Sequence, residues 1–271
     1  MPRRSRLDAE LVRRGLARSR EHASQLIADG HVTVKGVLAR KAATAVETDA
    51  PVVVREDVDD PGWASRGAHK LVGALEAFEP DGLTVNGKRC LDAGASTGGF
   101  TDVLLRKGAE QVVAADVGRG LLVWRLMTDP RVLVLDKTNV RNLTPELTGG
   151  QVDLVVADLS FISLKLVLPA LLACARDDAD LVPMVKPQFE VGKERLGSGG
   201  VVRDPGLRAE VVIDVLTAAA ELGLRPHGVV ASPLPGPSGN VEYFAWLRRG
   251  DRLEPEQVAS MVHAAVERGP Q

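Results

Sequence analysis

The chain has 271 residues, 45% of them apolar, which suits one large core or a small domain joined to a medium one. Aromatics make up only 3%, which argues against recognition of nucleic acid on a broad stacking platform. Two cysteines and five histidines lack metal-ligand spacing, so no metal site is expected, and no apolar run approaches a bilayer span. The net charge of −2 hides an asymmetry: residues 1–45 hold ten Lys/Arg against four Asp/Glu, and the remainder carries an excess of eight acids. A basic head on an acidic body suggests a head that meets a polyanion, although charge alone fits an ordinary solvated helical face equally well. Met1 to Arg14 is basic without a following apolar run, so no secretory leader is expected and the expected compartment is the cytoplasm. Cys90 and Cys174, far apart in apolar surroundings, are expected to be buried free thiols.

In chain order, Leu7, Leu11, Val12 and Leu16 give one amphipathic helix, and Ala23, Leu26 and Ile27 a second. Ser19 is the expected N-cap of the second, with Glu21 in its first turn and Gly30 as its stop. His31 to Gly36 alternates like a strand entering a turn, and Val52–Val54 closes the unit. The acidic stretch Glu56 to Gly62, with Pro61, opposes regular structure. The predicted organisation is a head over 1–58, a linker over 59–65 and a second domain over 66–271. In the linker, Trp63 is expected to be a packing anchor rather than a relay between head and body.

From 67 on, helical patterns at 67–78, 99–107, 119–127, 163–175 and 204–222 alternate with apolar strands. The strands are expected at 89–92, 111–116, 132–135, 152–158, 180–185, 227–231 and 242–247. This pattern predicts an α/β fold with a mostly parallel seven-stranded sheet covered by helices on both faces.

Four stretches carry candidate chemistry. Leu91-Asp92-Ala93-Gly94-Ala95-Ser96-Thr97-Gly98-Gly99-Phe100 takes a strand through a glycine turn into a helix, where backbone can approach a ligand closely. Val112 to Asp116 ends a strand in a carboxylate that can accept bonds from ribose hydroxyls. A dinucleotide site and a methyltransferase site both use such a turn; the Gly94, Gly98, Gly99 spacing fits the latter better. Asp92, Gly94, Ala95, Ser96, Thr97, Gly98, Phe100, Asp116 and Asn139 are the candidate cofactor-binding residues. Asp153 to Phe161 delivers Asp158 to the sheet's edge without the prolines of base amino-methylating enzymes. Val182 to Glu190 delivers Lys186 beside it, and a lysine is costly at a buried strand end without a purpose or a partner. The glycine-rich loop 192–200 fits a mobile lid or an ordinary surface loop.

Two resemblances gather these residues. The head, through Arg6-Leu7-Asp8, Leu11, Gly15, Ser19-Arg20, Ala23, Ile27, Gly30 to Val34 and Gly36, resembles the RNA-binding domain named after ribosomal protein S-four. That likeness implies two helices on a small sheet, with Arg6, Arg14, Arg18, Arg20 and Lys41 as candidate RNA contacts; Lys35 stands where that family often has Asn or Asp. In the body, Lys70, Asp158, Lys186 and Glu242 follow the order of the Lys-Asp-Lys-Glu tetrad of FtsJ-like ribose 2′-O-methyltransferases, and the whole chain is similar to the TlyA (haemolysin A) family. The resemblance implies a Rossmann-like class I methyltransferase that uses S-adenosylmethionine on ribosomal RNA or ribosomal subunits. It implies metal-free methylation of cytidine 2′-hydroxyls in 16S and/or 23S RNA, a modification associated with capreomycin sensitivity. Lys186 would act on the hydroxyl as base or alkoxide stabiliser, and Lys70 would depress its pKa or stabilise developing charge. Asp158 and Glu242 would orient the lysines. A monomer satisfies this reading and no membrane is expected. Two rivals are a non-catalytic RNA-binding assembly factor on the same fold and, more remotely, a membrane-active haemolysin.

Overall fold

The computed structural model describes residues 4–17, 20–28, 30–54, 61–192, 194–236 and 238–270. The chain divides into two compact units, Met1–Gly62 and Trp63–Gln271. Arg18, Ser19, Lys193, Arg55 and residues 56–60 of the acidic stretch lie outside the described residues, and with them the expected N-cap and one expected RNA contact.

The first unit runs β1 (Arg4–Arg6), α1 (Leu7–Arg13), α2 (Arg20–Ala28), β2 (Val32–Val34), β3 (Val37–Leu38), β4 (Ala45–Glu47) and β5 (Val52–Val54). β1 pairs with β4, and β3-β2-β5 form an antiparallel sheet. Leu7, Leu11, Ala17, Ala23, Ile27, Val32 and Val46 form its core. Lys35 (φ +51) and Gly36 (φ +80) are both left-handed, as a two-residue turn joining β2 to β3 requires. That requirement explains why Asn or Asp is the easier residue at position 35. The pairing of β1 with β4 was not predicted, because three-residue strands are too short for alternation to register.

The second unit opens with α3 (Gly67–Phe78), then β6 (Arg89–Ala93), α4 (Gly99–Arg106), β7 (Gln111–Ala115), α5 (Trp124–Met127), β8 (Val132–Leu135) and β9 (Val152–Ala157). It continues with α6 (Leu168–Cys174), β10 (Ala175–Val185), α7 (Pro187–Glu190), α8 (Pro205–Glu221), β11 (Leu224–Ala231), β12 (Tyr243–Arg249) and α9 (Pro255–Arg268). The seven strands are ordered β11-β12-β10-β9-β6-β7-β8, parallel except for β12, which is antiparallel to both neighbours. Strand alternation splits the core: Leu91, Val113 and Val155 face one apolar cluster with α6, α8 and α9. Cys90, Val112, Leu154 and Val156 face the other, with α3 and α4. Both cysteines are buried free thiols, and burial pushes the Cys90 thiol up to about 12.

Three expectations need correction. The helix expected at 119–127 exists only from Trp124; before it, Asp116 and Asp136 accept bonds from the Gly118 and Gly120 amides and hold the chain as a loop. β10 begins at Ala175, five residues early, because its Asp-rich start includes a register shift. The C-terminal helix α9 was not predicted, although Glu254 and Gln257 form a capping box that brackets Pro255, ahead of the apolar spacing of Val258, Val262, Ala265 and Val266. Among the described residues no helix is long and apolar enough to cross a membrane.

Candidate active site

The C-terminal edge of the parallel strands collects the predicted residues. β6 leads into the turn 94–98, where Gly94 (φ +90), Ser96 (φ +48) and Gly98 (φ +100) are left-handed. A Cβ at Gly94 would sit 2.4 Å from the Asp158 carbonyl oxygen, so only glycine lets the turn pass the end of β9. Asp116, one residue beyond β7, ties the turn down: its Oδ2 accepts from the Ser96 amide (2.9 Å) and its Oδ1 from the Gly118 amide (2.7 Å). Beneath the turn, Asp92 is sealed from solvent. Thr101 donates to its Oδ2 at 2.6 Å, while Oδ1 is buried without a partner among the described residues. Burial pushes this carboxyl up to about 7, against the pull of the Thr101 hydrogen bond.

Lys70, Asp158, Lys186 and Glu242 form two ion pairs, three of the four residues brought together by strand register and Lys70 by α3. Val185 faces Tyr243 across β10 and β12, and Pro183 faces Ala157 across β10 and β9. The residues just past these pairs, Lys186, Glu242 and Asp158, therefore meet at one edge. Lys186 Nζ lies 2.5 Å from Asp158 Oδ1, and Lys70 Nζ on α3 lies 2.5 Å from Glu242 Oε2. The lysine side chains keep only 8% and 9% of their exposure and Glu242 1%, so both charges are removed from bulk water. Gly236 makes room for Glu242, since a Cβ there would lie 2.6 Å from Oε1. His69 is exposed beside the buried Lys70, consistent with its different helix face.

Further side chains support the pairs without having been singled out. Lys186 also donates to Ser160 Oγ (3.2 Å), and Gln188 Nε2 donates to Glu242 Oε1 (3.1 Å). Glu190 on α7 accepts from Ser163 Oγ (2.6 Å) and the Leu164 amide (2.7 Å), fastening the loop after β9 to the loop after β10. All lie in the stretches that carry Asp158 and Lys186, yet their types alone do not distinguish them from surface polar residues. Among the described residues, no group of three or more His, Cys, Asp or Glu is placed to hold a metal ion.

Other predicted residues have different surroundings. Phe100 and Ala95 are buried core residues, and the Phe100 ring packs against Phe244 with 6.0 Å between ring centres. Asn139 Oδ1 accepts from the Arg141 amide (3.0 Å) and caps a short 3-10 turn, a role that accounts for it without a ligand. Trp63 packs within the second unit, with the Arg106 guanidinium 4.3 Å from its ring centre, as an anchor. Loop 192–200 is fixed at its end by Asn240, which donates to the Gly200 carbonyl and accepts from the Val202 amide. In the first unit Arg6, Arg20 and Lys41 are exposed. Arg14 is half-buried and donates to Glu10, to the Ala50 carbonyl (2.7 Å) and to the Thr48 carbonyl (2.9 Å).

Fold and site together define a class: residues 63–249 match the FtsJ-like methyltransferase family and residues 5–52 the S4 domain. The chain is 62% identical to the "16S/23S rRNA (cytidine-2′-O)-methyltransferase TlyA" of Mycobacterium tuberculosis H37Rv, with all of both chains covered. It is 34% identical to "Hemolysin A" of Brachyspira hyodysenteriae over 89% of this chain and 98% of that one. A solved structure of a hemolysin-named protein from Streptococcus thermophilus superposes with a TM-score of 0.76 at 35% identity, covering 98% and 97% of the two chains. The chain belongs to the TlyA (haemolysin A) family of FtsJ-like methyltransferases.

Proposed function

We propose that the protein transfers a methyl group from S-adenosylmethionine to the 2′-hydroxyl of a cytidine in 16S and/or 23S ribosomal RNA. The observation that carries this reading is the two ion pairs with buried lysines, Lys70–Glu242 and Lys186–Asp158, gathered next to the glycine turn. The name of the 62% identical relative supports the substrate.

The residues present fit the cofactor. Asp92 presents a desolvated carboxyl with an unsatisfied oxygen, which a nearby cationic group would compensate. The turn 94–98 offers backbone, and the partly exposed Asp116 retains acceptor capacity beyond its two amide bonds. When bound, the cofactor supplies an electrophilic methyl on a sulfonium. The chain must then activate a weak nucleophile, the ribose hydroxyl. Lys186 hydrogen-bonds that oxygen and stabilises the negative charge developing on it; it takes up the hydroxyl proton as it passes one of its own ammonium protons to the Asp158 carboxylate. Lys70 adds positive charge in a site where water does not screen it. Glu242, fixed by Gln188, keeps Lys70 in place.

The test incubates the protein with methyl-labelled S-adenosylmethionine and purified ribosomal subunits or liposomes. Label in 2′-O-methylcytidine from ribosomal RNA is the expected result. Label on a base, or no transfer to RNA from correctly bound cofactor, overturns the reading.

A further inference from the structure

The first unit contains two acids that solvent does not reach: Asp8 is 3% exposed and Glu10 fully buried. Each holds arginines. Asp8 accepts a two-bond fork from Arg6, Nε to Oδ1 at 3.0 Å and Nη2 to Oδ2 at 2.9 Å, and Arg20 Nη2 donates to the same Oδ2 at 3.0 Å. Glu10 accepts a similar fork from Arg13, at 2.8 and 2.5 Å. The carboxylates are buried, yet the Arg6, Arg13 and Arg20 side chains keep 52%, 59% and 60% of their exposure. Two nitrogens that share one acceptor lie within about 6 Å of each other, so Arg6 and Arg20 present adjacent guanidiniums.

We propose that Asp8 is a positioning residue for RNA binding, holding Arg6 and Arg20 as one two-guanidinium clamp for a backbone phosphate. The inference rests on the reading of the first unit as the RNA-binding head. A free arginine loses rotamer entropy when it grips an anion; one already forked onto a buried carboxylate has lost that freedom on folding. The Arg6 hydrogen bonds hold the Asp8 carboxyl far below the usual carboxylate range, so the clamp stays assembled throughout the physiological pH range. Simple charge counting makes the opposite prediction: removing an acid from a head that meets a polyanion should tighten binding.

The experiment measures full-length protein binding to ribosomal RNA and to S-adenosylmethionine for Asp8→Asn, Arg6→Ala/Arg20→Ala, and the triple variant, with thermal melting of each. The expected result is RNA affinity lowered about tenfold by Asp8→Asn despite the added positive charge, with cofactor affinity unchanged. The triple variant should bind no worse than the double arginine variant, because Asp8 acts through those arginines. Unchanged or tighter binding by Asp8→Asn, while the arginine variant weakens, overturns the clamp and leaves the head reading intact. A loss larger than that of the arginine variant also overturns it, since Asp8 would then be a folding residue. Wild-type affinity in the arginine variant overturns the head reading itself. If Asp8→Asn does not fold, Asp8→Glu keeps the charge but displaces the fork: weakened binding supports the clamp and wild-type binding overturns it.

Discussion

Both units place basic side chains with buried acids, but to opposite ends. In the first, Asp8 and Glu10 are sealed while Arg6, Arg13 and Arg20, paired to them, look outward. In the second, Glu242 is sealed and the lysines are sealed with it; Asp158 alone keeps appreciable exposure, 23%. An outward guanidinium remains hydrated and can grip phosphates along a surface. An ammonium withdrawn from water acts strongly over a short range, which suits one hydroxyl. On the proposed function, the same ion-pair chemistry gives a recognition surface or a reaction centre, depending on which partner is buried.

The sharpest way to break this contrast is Lys186→Ala. Methyl transfer should fall about a thousandfold or more while cofactor affinity, measured by calorimetry, stays near wild type. Retained transfer removes Lys186 from the chemistry. Glu242→Ala comes next: it leaves Lys70 buried without its carboxylate, and denaturant unfolding should report a loss of roughly 3 kcal/mol along with impaired transfer. A loss near zero would mean the pair is wetter than its burial implies.

Asp92 sharpens the comparison, because it is a buried acid whose Oδ1 has no partner among the described residues. Its folded carboxyl, at about 7, lies above the roughly 3.9 of an unfolded chain, so between those values the folded state holds the extra proton. Stability of the cofactor-free protein should therefore fall as pH rises through that window, and Asp92→Asn should flatten the trend. Cofactor affinity should change in the opposite direction, rising about tenfold as Asp92 ionises through pH 7. A flat profile in both measurements contradicts the compensation role. The smallest effect is expected at Arg4, whose side chain is 68% exposed and 3.9 Å from Glu47: Arg4→Ala should shift stability by less than about 0.5 kcal/mol.

Much of the second unit was legible because its signals are periodic or sterically demanding. The apolar strands announce a sheet, and the Gly94 turn announces a close backbone approach. Asp158 and Lys186 stand out because charge at the end of an apolar strand is unusual. What the sequence hides is partnership: nothing in Ser160, Gln188 or Glu190 marks them as supports, because their neighbours come from other loops. In the first unit, charge counting treats Asp8 and Glu10 as acids that dilute a basic surface, whereas the fold buries them. It likewise treats Arg14 as a surface cation, though backbone carbonyls from the 47–50 turn claim it. Residues 119–123 read as the start of a helix, yet local bonds from backbone amides to the Asp116 and Asp136 carboxylates outcompete the helical ones.

The division of labour is tested most directly by single-turnover methylation of ribosomal RNA as a function of protein concentration, comparing Arg6→Ala/Arg20→Ala with Lys186→Ala. The account predicts that the arginine variant needs more protein but reaches the wild-type rate at saturation, whereas Lys186→Ala is slow at every concentration. An arginine variant that stays slow when saturated, or a Lys186→Ala protein that recovers, would contradict it.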